Sequence, residues 1–443
     1  MKKLLSVVLA VLMLAVMLPV SALAAEGYVT VSGIKGFEGQ QFASFAEAYA
    51  AIKPTMETLG LGEETPVNAE AFDALFTDVT DGKATLTYTI SGNVTYDEAS
   101  CKNLLTMGRK TSHYLTNERH LINFKFVGAT GRDSDTLTVN SNITLPYEWW
   151  GEKTTTSISF ENLTITGTAP NGLYPTQAYF DGINFKVNNC KLEGIKIYNC
   201  SNVGGSYTIT NNIFDGTNAP QNAYAIHLQG NETAPLTINI SNNTISGYDR
   251  GINIDQKTAA ATISNNNISV KDTGRSCIQL TRLASTKVEN NTMNLTGGNA
   301  ITLHEELLNC AKPEITVSGN AINGTGYLIY DDATANNKSF TNDNLTLTIT
   351  EDNTVAKTVD ITQGVKGSTK YGMSEIVKTK VENNVVPGGS TGGTIVIVPD
   401  RTEDTPKTEP EKNPTTGAND VVAAAVALMA VSALGAAVLT RKK

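Results

Sequence analysis

From residue 157 onward one six-residue pattern recurs: a β-branched or aromatic residue, a polar one, Asn (once Gly), a mostly polar position, any residue, then an apolar one. Its copies are Phe160-Glu161-Asn162-Leu163-Thr164-Ile165, Val187-Asn188-Asn189-Cys190-Lys191-Leu192, Ile209-Thr210-Asn211-Asn212-Ile213-Phe214 and Ile240-Ser241-Asn242-Asn243-Thr244-Ile245. They continue as Ile263-Ser264-Asn265-Asn266-Asn267-Ile268, Val288-Glu289-Asn290-Asn291-Thr292-Met293 and Val317-Ser318-Gly319-Asn320-Ala321-Ile322. The third positions fall at 162, 189, 211, 242, 265, 290 and 319, giving steps of 27, 22, 31, 23, 25 and 29 residues. A second pattern, small, apolar, polar, apolar, polar, lies out of phase with the first. It reads Ala225-Ile226-His227-Leu228-Gln229, Gly251-Ile252-Asn253-Ile254-Asp255, Cys277-Ile278-Gln279-Leu280-Thr281 and Ala300-Ile301-Thr302-Leu303-His304, with a looser copy at Tyr327-Leu328-Ile329-Tyr330-Asp331. From Ile226 to Ile252, Ile278, Ile301 and Leu328 the steps are 26, 26, 23 and 27 residues, so two independent markers share one period.

Alternation of period two marks short strands with one buried face, and Asn suits the bend between them because it tolerates the left-handed backbone region. A repeat of this length with only short strands per turn must coil, each turn bonding to the next at the roughly 4.8 Å strand spacing. Asn side chains stacked inside the bend can then bond to one another in a ladder. A β-sandwich would show alternation and turn signals, yet not a fixed order of Asn bend and small-Ile-x-Leu strand turn after turn. The pattern resembles the pectin-lyase-like family of right-handed parallel β-helices, over roughly residues 28–386 and most clearly over 157–332. The expected fold is therefore all-β, a right-handed parallel β-helix (solenoid) with an N-terminal capping helix.

An open solenoid end exposes core and strand edges, so it needs a cap. Ser44-Phe45-Ala46-Glu47 forms a capping box, and Phe45, Ala48, Tyr49 and Ile52 follow at helical spacing before Pro54, which is expected to stop the run. Further helix is expected near Ala69–Phe76, early strands at Ala84–Ile90 and Leu121–Phe126, and weaker strands at Leu345–Ile349 and Val355–Ile361. The organisation read from these signals is an N-terminal cap with first turns over 25–156, regular turns over 157–332 and C-terminal turns over 333–386.

The two ends concern destination. Residues 1–24 begin with Lys2-Lys3, run apolar from Leu4 to Val20 and close on Ala22-Leu23-Ala24, the order of a secretory signal peptide; an uncleaved anchor is the alternative. At the other end Asn413-Pro414-Thr415-Thr416-Gly417 precedes an uncharged run from Val421 to Leu439 and then Arg441-Lys442-Lys443. The run of 421–439 is long enough to span a bilayer, with the terminal cations held inside. This resembles a Gram-positive cell-wall sorting signal, in which a sortase cuts a Leu-Pro-x-Thr-Gly pentapeptide between Thr and Gly and joins the Thr to peptidoglycan. Pro414, Thr416 and Gly417 match by position, whereas Asn413 replaces Leu, as in a second sortase class. The resemblance implies sortase and peptidoglycan as partners, with membrane contact only through the C-terminal helix before sorting; a plain transmembrane anchor is the alternative. Residues 387–412, with paired glycines, prolines and mixed charges, read as a disordered wall spacer.

Composition narrows the function. The chain has 443 residues, only 17% of them charged, and a formal net charge of -9, which argues against nucleic acid or an anionic membrane surface as partner. The cysteines Cys101, Cys190, Cys200, Cys277 and Cys310 are odd in number and lack a C-x-x-C spacing, so they suggest buried free thiols, with a Cys190–Cys200 bridge as the other reading.

The β-helix resemblance implies that the small-Ile-x-Leu strand lines the groove used by pectinolytic members. Its outward positions then stack in two columns: His227, Asn253, Gln279, Thr302 and Ile329, and Gln229, Asp255, Thr281, His304 and Asp331. With Tyr248, Arg250, Arg275 and Arg282 in adjoining turns, this strip carries the amides, hydroxyls, charges and aromatic that a sugar polymer needs, although an ordinary solvated sheet face has the same alternation. The paired Asn-Thr-Asp, Asp-Asp and Gly-His-Gly elements of a polygalacturonase-like hydrolase are represented only by Asp331-Asp332. A lyase would need clustered carboxylates for calcium beside an Arg base, with Asp249, Asp255, Asp331 and Glu305 the acids at hand; calcium enters only with that reading, and no other metal or cofactor is expected. Three functions stay open: binding of a polysaccharide or host glycan as an adhesin-like surface protein, a polysaccharide lyase or glycoside hydrolase, and a structural spacer. Trp149-Trp150 is a further candidate sugar platform, or else a buried filler beneath its loop.

Overall fold

The computed structural model describes residues 27–58, 69–80, 83–96, 121–140, 155–168, 172–173, 182–201, 204–230, 235–271, 275–360 and 374–384. The expected signal peptide, wall spacer, sorting pentapeptide, apolar 421–439 run and Trp149-Trp150 lie outside these residues. Among the described residues no helix is long and apolar enough to cross a membrane.

The chain is a right-handed parallel β-helix with three rows of strands. Row one runs from Lys83–Ser91 through Leu121–Gly128, Thr155–Glu161, Gly182–Asn188, Gly204–Thr210, Leu236–Ser241, Ala259–Ser264, Ser285–Glu289 and Glu314–Ser318 to Thr346–Ile349, each pairing in parallel with the next. After each Asn bend a short row-two strand follows, for example Thr244–Tyr248, and then a row-three strand such as Arg250–Asp255. Rows two and three belong to one sheet because Thr292–Leu303 and Ala321–Asp331 each run through both without a break.

Registered stacking makes the core. Ile209, Ile240, Ile263, Val288, Val317 and Ile349 succeed one another at one inward position of row one, and all are buried. Toward the N-terminal end the same column turns aromatic, with Tyr88, Phe126 and Phe160 stacked at ring separations of 5.5 and 4.9 Å. Each fully buried side chain of this kind contributes roughly 1.5–3 kcal/mol, and stacking extends that gain through every turn.

The Asn bend divides its labour between adjacent positions. The third-position residues Asn162, Asn189, Asn211, Asn242, Asn265 and Asn290 hold φ between 54° and 60°, the left-handed conformation that turns the chain. The fourth-position residues Asn212, Asn243, Asn266, Asn291 and Asn320 point inward and form the ladder, which continues to Asn353. Asn243 is typical: its amide nitrogen donates to the Ile209 carbonyl (2.8 Å) and to Asn266 Oδ1 (2.9 Å), while its own Oδ1 accepts from Asn212. Cys190 ends the ladder, its backbone N–H donating to Asn212 Oδ1. Two turns earlier, buried Asp135 does related work on the N–H groups of Gly92, Thr130 and Gly131. Burial alone would raise its pKa, but these bonds with the Thr130 hydroxyl outweigh that and hold the carboxyl below its usual range.

Both ends are closed. At the N-terminal end Tyr28–Ser32 pairs antiparallel with Lys83–Ser91 and Gln40–Phe42, and the helix Phe45–Thr58 lays Phe45 on Tyr88, Tyr96 and Phe126 at 5.6–6.0 Å. Ser44 Oγ accepts the Glu47 N–H as the capping box requires, whereas Glu47 reaches one residue further back, to the Ala43 N–H. Pro54 does not stop this helix, which continues to Thr58: the lost N–H bond and the ring's crowding of the preceding turn are outweighed by the buried face that Ile52 and Thr55 form on either side of it. A second helix occupies Ala69–Leu75. At the other end the helix Glu375–Asn384 buries Val377 and Val381, while the expected strand Val355–Ile361 reduces to Thr354–Val355 and Val359–Asp360.

Candidate ligand-binding face

Row three carries the predicted strip, and its register decides which side chains share a face. Ile197, Ile226, Ile252, Ile278, Ile301 and Ile329 pair in succession and are all buried. The alternate column is Tyr198, His227, Asn253, Gln279, Thr302 and Tyr330. The position expected for Ile329 is thus held by Tyr330, because the last copy is displaced by one residue, and such a slip exchanges the two faces. Asp331 pairs with Leu303 and is wholly buried, not outward. The second column breaks as well. A bulge after Ile254 pairs Asp255 with Arg282, and Thr281 instead turns its hydroxyl to Asn253 Oδ1 (2.8 Å). At Gly251 the small first residue has a steric reason: a Cβ there would lie 2.1 Å from the Cys277 carbonyl oxygen.

The middle of the strip is closed upon itself. Asn253, Asp255, Thr281 and Thr302 are buried. Asp255 is ion-paired with Arg282, Gln279 donates to the Thr281 hydroxyl (3.0 Å), and Thr302 is hydrogen-bonded to the Ser276 hydroxyl and accepts from Asn299. Of the predicted residues, His227, Gln229, Gln279 and His304 keep partial exposure. Tyr248 is fully buried, its hydroxyl donating to the Ile195 carbonyl (2.6 Å), and faces away from any ligand.

At the N-terminal end of the strip lies an aromatic cluster. The His227 ring stands 5.2 Å from Tyr198, edge-on, and 4.8 Å from Tyr224. Tyr198 Oη donates to Gln229 Oε1 (3.2 Å), and Tyr224 Oη donates to Gln279 Oε1 (3.1 Å) while accepting from Arg250 Nη1 (2.9 Å). Lys196 Nζ sits 5.4 Å over the Tyr198 ring and the Arg250 guanidinium 4.9 Å over Tyr224. Burial depresses the His227 pKa to about 4, Asp255 opposing and Lys196 and Arg250 adding to the shift, so the imidazole is neutral at physiological pH. Aromatic faces, amides and a neutral imidazole across two consecutive turns suit stacking on a sugar ring and hydrogen bonding to its hydroxyls.

The C-terminal end is different. His304 caps the 3-10 turn Glu305–Asn309 by accepting the Glu306 N–H at Nδ1, and its Nε2 lies 3.4 Å from Asp332. Asp331 is structural: Oδ1 accepts the Thr334 N–H (3.2 Å) and Oδ2 the Ser374 N–H (2.6 Å), tying the last turn to the start of the C-terminal helix.

The acids considered for calcium are separated, each with its own partner: Asp249 with Lys271 and the Asn222 N–H, Asp255 with Arg282, Glu305 with Lys338, and Asp331 with the two N–H groups. Among the described residues no group of three or more His, Cys, Asp or Glu side chains is placed to hold a metal ion. Cys190 and Cys277 are free and buried thiols, each pushed up to about 12 by burial.

Sequence reasoning missed Tyr198, Tyr224 and Lys196. The signal was present, since Gly194-Ile195-Lys196-Ile197-Tyr198 repeats the small-apolar-polar order, but two residues out of phase with the copy at Ala225.

Residues 161–356 match the family described as periplasmic copper-binding protein (NosD), a match over fewer than half of the 443 residues that covers most of the regular turns and runs into the C-terminal ones. No curated protein and no solved structure matches the chain.

Proposed function

We propose that this chain is an exported β-helix protein that binds a glycan along row three, gripping it at the Tyr198–His227–Tyr224 cluster. The observation that carries the reading is that cluster: three half-buried rings on consecutive turns, edged by Gln229 and Gln279, beside a middle stretch whose polar groups already satisfy one another. Catalysis draws no comparable support, because the acids of the face are engaged singly by cations and N–H groups. Display on a Gram-positive wall, with sortase and peptidoglycan as partners through Asn413, Pro414, Thr416 and Gly417, belongs to the same proposal and rests on the sequence of the two ends.

Copper, named in the description of the matched family, does not fit the described residues. A soft ion needs thiolate, thioether or imidazole donors converging on one point. Here Cys190 and Cys277 are buried apart as protonated thiols, the half-buried Cys310 thiol donates to the Glu306 carbonyl, His227 lies between two tyrosines, and His304 is engaged by Glu306 and Asp332. Cys101, Met107, His113 and His120 fall outside the described residues.

A glycan array probed with purified protein tests the proposal. Retention of a defined set of glycans, reduced about tenfold or more by Tyr198→Ala or Tyr224→Ala, supports it; absence of retention, or retention indifferent to both substitutions, rejects it.

A further inference from the structure

We infer that the aromatic end of row three carries an oxyanion subsite, in which Lys196 and Arg250 receive a carboxylate or sulfate borne by the bound glycan. This rests on the glycan-binding reading and names the chemistry of its ligand. Three cations of the neighbouring turns are neutralised within the protein: Lys191 by Glu193 (2.5 Å), Lys271 by Asp249 (3.5 Å) and Arg282 by Asp255. Lys196 and Arg250 form no ion pair among the described residues; each lies over a tyrosine, and the two tyrosines bracket His227.

Arg250 donates through Nη1 to the Tyr224 hydroxyl, yet its Nε is buried and has no acceptor. That Nε is closed to solvent, so a ligand anion would meet the guanidinium at its outer Nη edge, where the planar fork is matched to a two-oxygen anion. Lys196 is half-buried, and burial is what lowers its pKa, whereas a carboxylate partner would raise it. The acid whose charge acts on His227 is Asp255, which is already committed to Arg282. A ring stacked on Tyr198 or His227 would bring a substituent towards these two cations, with Gln229 at the edge of the cluster for its hydroxyls. The whole chain carries a formal charge of -9, so affinity for a polyanion must arise from a local site and not from the overall field.

The test uses one β-1,4-linked backbone in three forms, hydroxyethylcellulose, carboxymethylcellulose and cellulose sulfate, in affinity electrophoresis of the purified protein. The expected result is at least tenfold stronger retention by an anionic form than by the neutral one. That difference should disappear in about 0.5 M salt and in the Lys196→Gln/Arg250→Gln double variant, whose urea midpoint is measured to establish that it is folded. Arg250→Lys, which keeps the charge and loses the fork, should retain part of the preference. The carboxymethyl and sulfate arms separate the two sources of the anion. Equal retention of all three forms, or an anionic preference that persists in a folded double variant, overturns the subsite. No retention of any form, alongside a positive glycan array, also overturns it and leaves the glycan-binding reading intact; a negative array overturns both.

Discussion

Asn242 and Asn243 are adjacent in sequence and face opposite environments: Asn242 is exposed with φ 58°, while Asn243 is buried and spans two turns by donating to Ile209 O and Asn266 Oδ1. Asn243→Ala removes the acceptor of the Asn212 N–H and the donor to Ile209 O and Asn266 Oδ1 in the core. We expect a loss of roughly 2–4 kcal/mol. Asn242→Gly should change stability by no more than about 0.5 kcal/mol, whereas Asn242→Val, forced into the left-handed region, should cost about 1–3 kcal/mol. Urea midpoints of the three variants check this ordering.

Asp331 joins the last row-three strand to the C-terminal helix through Thr334 and Ser374. Asp331→Ala should cost about 2–3 kcal/mol, the worth of two lost caps. Amide exchange should quicken selectively over residues 374–384. Uniform quickening along the whole solenoid would show that the carboxylate does not act as a local tie.

The depressed pKa of His227 sets the direction of a pH effect. Below the unfolded value of 6.5 the unfolded chain takes up a proton that the folded chain refuses until about pH 4, so stability falls as pH drops through that window and levels off below it. The amplitude is on the order of 2–3 kcal/mol. Wild-type stability should fall by that amount between pH 7 and pH 4, and the fall should be absent from His227→Gln; an equal fall in both would show that His227 is not its source.

Much of this architecture could be read in the chain because a solenoid writes its period directly into sequence. The Asn bend, the alternating strand and the Ser44–Glu47 cap each have a local cause. What escaped was register. Nothing local says which Asn of a pair turns inward, and the displaced last copy put Ile329 and Asp331 on the wrong side by one residue. The bulge at Asp255 came from its pairing with Arg282 in the next turn, a contact 27 residues away. Tyr198 and Tyr224 flank the regular copies, and only strand pairing shows that they enclose His227.

Surface display predicts that the mature protein is released from cells by wall-degrading enzymes and not by detergent alone. Recovery of an intact Arg441-Lys442-Lys443 terminus from the surface form would reject sortase processing and favour a membrane anchor.

Hydroxyl-radical footprinting, with and without the glycan most strongly retained on the array, addresses the central claim residue by residue. The account predicts protection of Tyr198, Tyr224 and His227, with Tyr28 and Tyr49 at the N-terminal end unchanged. Unchanged oxidation of Tyr198, Tyr224 and His227 in the saturated complex, with protection elsewhere on the chain, would contradict it.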